Sequence, residues 1–320
     1  MRTAFFKTLV DLAAADRRIT LVVGDLGFGN VEVFAERYPS QFVNAGVAEQ
    51  HMTGLAAGLG LSGRIVFTYS IGNFPTIRCL EQIRNDVCYH DANVKVVAVG
   101  GGFVYGSLGP THHATEDLAI MRALPNMVVV APGDPVESAA ATRAIAMHAG
   151  PCYLRLGRAG EATVHQSDVP FVLGRAIQLT AGTDVTIIST GGMLQTAARV
   201  AAELCADRIG VRLLSMHTVS PIDTDAIRAA ARETGAIVTV EEHSIVGGLG
   251  GAVAEILAEL NPDRPRFLRL GLPSAFSSVA GTQNYLRRRA GLDSDGIGQA
   301  VRTLLLDGRN KTRVLPLERV

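Results

Sequence analysis

Short runs of aliphatic and β-branched residues recur along this chain, and most lead into longer segments whose apolar positions fall three and four residues apart. ITLVVGD from Ile19, VKVVAVGG from Val94 and MVVVAPGD from Met127 are nearly unbroken apolar runs that close on Gly or Asp. A strand without hydrophobic alternation is buried on both faces, which is the grammar of a parallel sheet covered by helices. The pattern holds to about residue 160 and breaks at LRLGRAGEATVHQSDVPFVLG, a mixed stretch punctuated by Gly and Pro. It resumes with DVTIISTG, a helix over QTAARVAAELCADR, VRLLSMHTV, a helix over DTDAIRAAARETG, AIVTVEE, and a helix from about Gly248 to Leu260. The prediction is α/β, with two doubly wound domains: the first over 1–165, a linker over 166–182, the second over 183–310, and a charged tail without periodicity over 311–320.

Composition removes several function classes. Lys plus Arg (30) balance Asp plus Glu (30), so no long-range field steers polyanions and no nucleic-acid partner is expected. No apolar run reaches the length of a membrane span, and MRTAFFKTLVDLAAADRR reads as an amphipathic helix without the cleavage site of a secretory leader. No membrane association and a cytoplasmic location are the expectation. Cys79, Cys88, Cys152 and Cys205 show no C-x-x-C spacing, which predicts reduced core thiols and neither zinc nor disulfides.

Three segments carry candidate chemistry. In GVAEQHMTGLAAGLGLSG, Glu49 closes a short strand and opens a helix of small residues that suits close packing against something flat. Alone, Glu49 reads equally well as a helix-capping acid. In TYSIGNFPTIRCLEQIRND, Tyr69 and Phe74 lie at a strand end before a helix starting near Thr76, where aromatics serve either as core plugs or as a stacking surface. In GGGFVYGSLGPTHHATEDLAIMRALPN, a Gly-rich loop ends on His112 and His113, candidates for acid–base work or polar substrate contacts. Adjacent histidines seldom bind one ion together, and no third ligand stands at a metal spacing.

Taken in order, FVNAGVAEQHMTGLAAGLG, GPTHH, MRALPNMVVVAPGDPVES and VEEHSIVGGLGGAVAE resemble the C-terminal half of transketolases and of 1-deoxyxylulose-5-phosphate synthases across nearly the whole chain. The resemblance implies a pyrimidine-binding domain followed by a transketolase C-terminal domain, working with thiamine diphosphate. In that family a preceding domain carries a Gly-Asp-Gly…Asn motif for Mg2+ and the diphosphate, and no such motif occurs in these residues. The implied protein is the second subunit of a split transketolase. Its partner would be an N-terminal subunit that holds most of the magnesium and diphosphate contacts, in an α2β2 assembly acting on a small sugar substrate.

The resemblance also implies residue roles. Glu49 matches the glutamate that activates the aminopyrimidine, chemistry that needs a protonatable carboxyl in a dry site. Asp25 and Leu26 fall on a cofactor-site aspartate and on the apolar residue supporting the bent cofactor. Phe74, with Tyr69 as the second choice, would stack on the pyrimidine. His112, and less directly His113, would contact substrate hydroxyls, while Arg2 and Arg158 fall on arginines that bind substrate phosphate.

Three positions depart from the pattern: Leu108 replaces an aspartate that reads a donor hydroxyl, Gly100 an upstream histidine, and Gly29 a phosphate-binding serine. Losing polar readers changes selectivity, so ordinary pentose phosphates do not follow from the resemblance. The leading expectation is transfer of a two-carbon ketol unit. The alternatives are a decarboxylating condensation of the deoxyxylulose-phosphate type, or the beta chain of a 2-oxo acid dehydrogenase, which lacks the Gly-Pro-Thr-His loop. A nicotinamide site at GGLGG has the wrong glycine order. A non-catalytic role is disfavoured by the retention of Glu49, Asp25 and His112.

Overall fold

The computed structural model describes residues 1–166, 168–260 and 264–306. The first half contributes β1 (Ile19–Val23), β2 (Phe42–Asn44), β3 (Ile65–Ile71), β4 (Val94–Val99), β5 (Val128–Val130) and β6 (Cys152–Leu156). The second half contributes β7 (Ile177–Thr180), β8 (Val185–Ser189), β9 (Val211–Ser215), β10 (Thr218–Ser220), β11 (Ala236–Ser244) and β12 (Arg266–Leu272). A seven-stranded sheet runs β10-β5-β6-β4-β3-β1-β2, and a five-stranded sheet runs β12-β11-β8-β9-β7. Both are parallel except at one edge each, where β10 and β7 run antiparallel.

Helices cover both faces of each sheet, as the unbroken apolar strands require. The helix Arg2–Ala15 places Phe5, Leu9 and Ala13 on one stripe, four residues apart, and buries it with Phe34, Phe67 and Leu154. On the opposite face Met52, Ile83, Val96, Met121 and Tyr153 form a second layer. In the second domain Val200, Leu204, Val301 and Leu304 cover one face, and Ile227 and Val253 the other. Each such side chain contributes about 1.5–3 kcal/mol on burial, so these layers outweigh local propensity in fixing the fold.

Several sequence expectations change here. The stretch expected as linker is not all connection, because Ile177–Thr180 forms β7 on the edge of the second sheet. VRLLSMHTV is two strands: β9 stays in the second sheet, while β10 crosses to pair with β5 of the first. The helix expected from Thr76 is broken into a 3-10 turn (Ile77–Cys79), a short α segment (Leu80–Gln82) and a π segment (Ile83–Cys88). Cys205 is exposed, whereas the other three thiols are buried. The expected tail over 311–320 lies outside the described residues. No helix among them is long and apolar enough to cross a membrane.

The domains are tied by more than β10. Arg155 is 5% exposed and Asp117 fully buried. The Arg155 guanidinium donates to both Asp117 carboxylate oxygens at 2.7 and 3.1 Å and to the carbonyls of Ala114 and Glu242. Glu242 in turn accepts from the Phe103 amide, Gln283 and Arg287, so the Gly-rich loop of one domain is clamped to the other.

Candidate active site

The loops that follow β1, β2, β3, β4 and β6 meet at the carboxyl ends of the first sheet, where ligands of open α/β sheets bind. β1 delivers Gly24, Asp25, Leu26 and Gly27. Asp25 has φ +55°, a left-handed conformation uncommon outside Gly, and its carboxylate accepts from Asn44 Nδ2 at 2.8 Å. β2 leads through Gly46 to Glu49, the first residue of the helix Glu49–Leu61.

Glu49 is 3% exposed, and its Oε2 accepts a hydrogen bond from Arg78 Nη1 at 2.8 Å. Arg78 is half exposed and lies over the Phe74 ring, 4.5 Å from its centroid. Phe74 in turn meets the His112 imidazole edge to face at 5.2 Å. A continuous row therefore runs from a buried carboxylate through a guanidinium and an aromatic face to an imidazole. Gly72 lies between these loops: a Cβ there would stand 3.2 Å from Ala114 Cβ and 3.7 Å from both the Gly100 and His112 carbonyl oxygens.

A second row leads to the arginines. Gly27 packs on Tyr69, where a Cβ would come within 3.1 Å of the ring, and Tyr69 lies beside Arg2. The Arg2 amide donates to the Arg158 carbonyl at 3.3 Å, and Arg2 Nε is buried without a hydrogen-bond partner among the described residues. Arg158 is exposed just past β6. The amino terminus is fixed alongside by Glu161 at 2.7 Å. Behind Arg158 a polar cavity of about 290 Å³ opens between the domains, lined among others by Met1, Gly191, Glu242 and Arg287.

The structure thus brings Glu49, Asp25, Phe74, His112, Arg2 and Arg158 to one end of one sheet, with Leu26 half-buried against the core beneath. Two sequence-predicted residues fall elsewhere. Tyr69 has no exposed surface; it stacks on Phe5 at 6.1 Å and meets Phe6 at 4.9 Å, because strand geometry turns it into the core. Phe74 is left as the accessible ring. His113 is 4% exposed, with Nε2 3.2 Å from the Gly106 carbonyl and its ring against Phe103, so it supports the loop from within and does not join His112 at the surface.

Two residues at the site were not singled out from the sequence. Arg78 sits in a segment whose apolar spacing reads as an ordinary helix, and its π continuation, a feature frequent near functional sites, leaves no sequence mark. Tyr105 is half-buried in the Gly-rich loop, and the Arg2 and Arg158 guanidiniums both act on its phenol, opposing the burial that pushes its pKa up. Burial likewise raises the Cys79 thiol beside Thr53 and Glu49.

The donor set fits the pyrimidine end of thiamine diphosphate. A buried carboxylate is linked to an aromatic ring through Arg78, its ion-pair partner among the described residues, which reaches it from the solvent side and lies over that ring. Among the described residues no cluster of three or more His, Cys, Asp and Glu is placed to hold a metal ion.

Comparison with known proteins agrees in both domains. Residues 1–160 match the transketolase pyrimidine-binding domain and residues 174–297 the transketolase C-terminal domain. The chain belongs to the transketolase family. It is 41% identical to one of the subunits of apulose-4-phosphate transketolase from Phocaeicola vulgatus, over 92% of this chain and 94% of that protein. It is 38% identical to a 6-deoxy-6-sulfo-D-fructose transketolase subunit of a Clostridium species, over 94% and 92%. Among solved structures, a split-gene transketolase described as an inactive beta4 tetramer superposes with TM-score 0.87 at 38% identity, covering 96% of this chain and 98% of that one.

Proposed function

We propose that this chain is the cofactor-activating subunit of a two-subunit, thiamine-diphosphate-dependent transketolase that moves a two-carbon ketol unit between sugar substrates. The observation that carries the reading is the buried Glu49 carboxylate at the head of its helix, paired with Arg78, which also lies over the Phe74 ring. When bound, thiamine diphosphate supplies a thiazolium carbon able to add to a ketose carbonyl. Glu49 would hold a proton at the pyrimidine ring nitrogen, Phe74 would cover the ring, and Asp25 and Leu26 would line the bend. His112 would contact the reacting end of the sugar, while Arg2 and Arg158 would hold its far end. Arg78 gives Glu49 a partner until the pyrimidine arrives.

The separate subunit would carry Mg2+ and most diphosphate contacts, consistent with the naming of the relatives as subunits and with a lone-chain tetramer described as inactive. Self-pairing plus that partner gives α2β2. A second reading, a decarboxylating condensation, draws on the absence of polar side chains at Gly100 and Leu108 and on matches to 1-deoxy-D-xylulose-5-phosphate synthases, which the chain covers over about half of their length. Assay with pyruvate against ketose donors separates the two.

The direct test is hydrogen exchange at the thiazolium carbon in the reconstituted enzyme. Glu49→Gln keeps size and hydrogen bonding but cannot share a proton, so exchange should slow by about 10²–10⁴ while assembly persists. Exchange at the wild-type rate would make Glu49 only a helix cap and remove this proposal.

A further inference from the structure

The segment carrying Phe74 and the loop carrying His112 also form one wall of a second cavity, of about 210 Å³, through Asn73, Ile77 and His113. Its other walls come from Phe103 and from the second domain, where Leu272 ends β12 and Leu286 lies on the helix Gln283–Arg289. Phe276, on the connection between those two elements, lines it as well and is 83% exposed. A cavity of about 150 Å³ lined by such side chains already admits a benzene ring, so this one has room for a phenyl or a branched aliphatic group.

Three polar groups on the same walls are left over by the fold's own bonding. Asn73 Nδ2 donates to the His113 carbonyl at 2.7 Å, which fixes the orientation of the amide and leaves Oδ1 a buried acceptor without a partner among the described residues. Glu116 is half-buried on the wall, and no cation among the described residues pairs with it. Arg289 is exposed, donates to the Tyr285 hydroxyl at 3.3 Å and pairs with no described carboxylate. One cation and one anion therefore share an apolar cavity without bonding each other, and a neutral acceptor shares it with them. A ligand of a single charge would leave the opposite charge unmet, whereas a zwitterion answers both.

We propose that this cavity is a regulatory binding site for an α-amino acid with an apolar side chain. The carboxylate pairs with Arg289, the ammonium donates to Glu116 and Asn73 Oδ1, and the side chain lies among Phe103, Leu272 and Leu286. Asn73 precedes Phe74 and His113 follows His112, so an occupant bears on the segments that position both. The regulatory consequence rests on the transketolase-type reading; the binding itself does not.

The test is calorimetric titration of L-leucine and, separately, of L-phenylalanine into the full chain, without cofactor. Wild type should bind at least one of them. For the binder, the analogue without the ammonium and the analogue without the carboxylate (phenylacetate and phenethylamine for L-phenylalanine) should each bind about ten-fold more weakly or worse, the scale of one hydrogen bond to a charged group, and glycine should not bind. Arg289→Gln should cost the same factor and Ala275→Trp, which fills the cavity from its rim, should abolish binding; both side chains are exposed, so the urea midpoint should not move. In the reconstituted enzyme the saturating amino acid should change KM for a ketose donor about five-fold or more, and should do so far less in Arg289→Gln. Glu49→Gln should bind the amino acid as wild type does, so a failure of the cofactor reading appears in its exchange rate and not in this titration. No binding by wild type up to millimolar concentration, equal affinity for the singly charged analogues, wild-type affinity in Arg289→Gln or Ala275→Trp, or an unchanged KM at saturation would each overturn the proposal.

Discussion

The His217 imidazole lies nearly parallel to the Phe171 ring at 3.8 Å, fully buried, with Nδ1 2.9 Å from Thr218 Oγ1 and no partner for Nε2 among the described residues. Burial pushes its pKa down to about 4 from 6.5, against the weaker pull of Glu137. Between those values the unfolded chain takes up a proton that the native chain refuses, so this group's contribution to stability is complete above pH 6.5 and is lost as pH falls toward 4. The gap corresponds to about 3 kcal/mol. In urea titrations His217→Gln should lose packing energy at pH 7.5, and its deficit relative to wild type should shrink steadily toward pH 4. A pH-independent deficit would mean that the imidazole is solvated. The Arg155–Asp117 pair behaves differently. Burial alone would raise the Asp117 carboxyl, but Arg155 outweighs it and holds the group below the usual range. Asp117→Ala leaves a buried cation without its carboxylate and should cost about 3–5 kcal/mol by denaturant unfolding. Of these residues only the chemically conspicuous were legible in the sequence. Glu49 and His112 stand in motifs, whereas Arg155 looks like an ordinary strand residue because its partner Asp117 is 38 positions away.

At the scale of elements, legibility followed burial. β1, β4, β5 and β8 are continuous apolar runs and were read directly. β7 hid inside a polar stretch because, as an edge strand, it alternates half-buried and exposed positions. β10 could not be separated from β9, since its partner β5 belongs to the other sheet and the switch is a tertiary choice. The Gly100–His113 loop was recognisable as a site by its glycines, but not the reason for two of them, which is the position of Tyr105 and Arg155. That reason predicts coupling. Gly100→Ala should cost about 1–3 kcal/mol from its backbone conformation, plus the overlap with the Tyr105 ring. Gly100→Ala combined with Tyr105→Ala should be less destabilising than the two single costs added, by about 0.5–3 kcal/mol, because the double variant removes the overlap. Strict additivity in thermal or urea unfolding would show that the ring moves aside freely.

For the whole molecule, the site's surroundings look outward. Phe28, on the loop after β1, is 76% exposed, and Val47, two residues before Glu49, is 75% exposed. The helix that Glu49 opens also has an uncovered side, where a Cβ at Gly54 or Gly58 would meet nothing within 4 Å. Large apolar side chains and a small-residue helix face bordering the buried Glu49 carboxylate suit close apposition of another protein surface. The proposed diphosphate-carrying subunit is the occupant expected on this face. Exposed apolar residues contribute little to the stability of the chain that bears them, usually within about 0.5 kcal/mol, whereas central interface anchors are worth about 2 kcal/mol or more in binding. Val47→Asp should therefore leave the urea midpoint of the isolated chain unchanged yet weaken association with the partner subunit at least about 30-fold, through desolvation of the new charge. Thiazolium hydrogen exchange should fall in proportion to the complex lost and recover at high partner concentration, which separates this variant from Glu49→Gln, whose defect persists at saturation. If Val47→Asp assembles normally, the partner does not cover the rim of the Glu49 pocket.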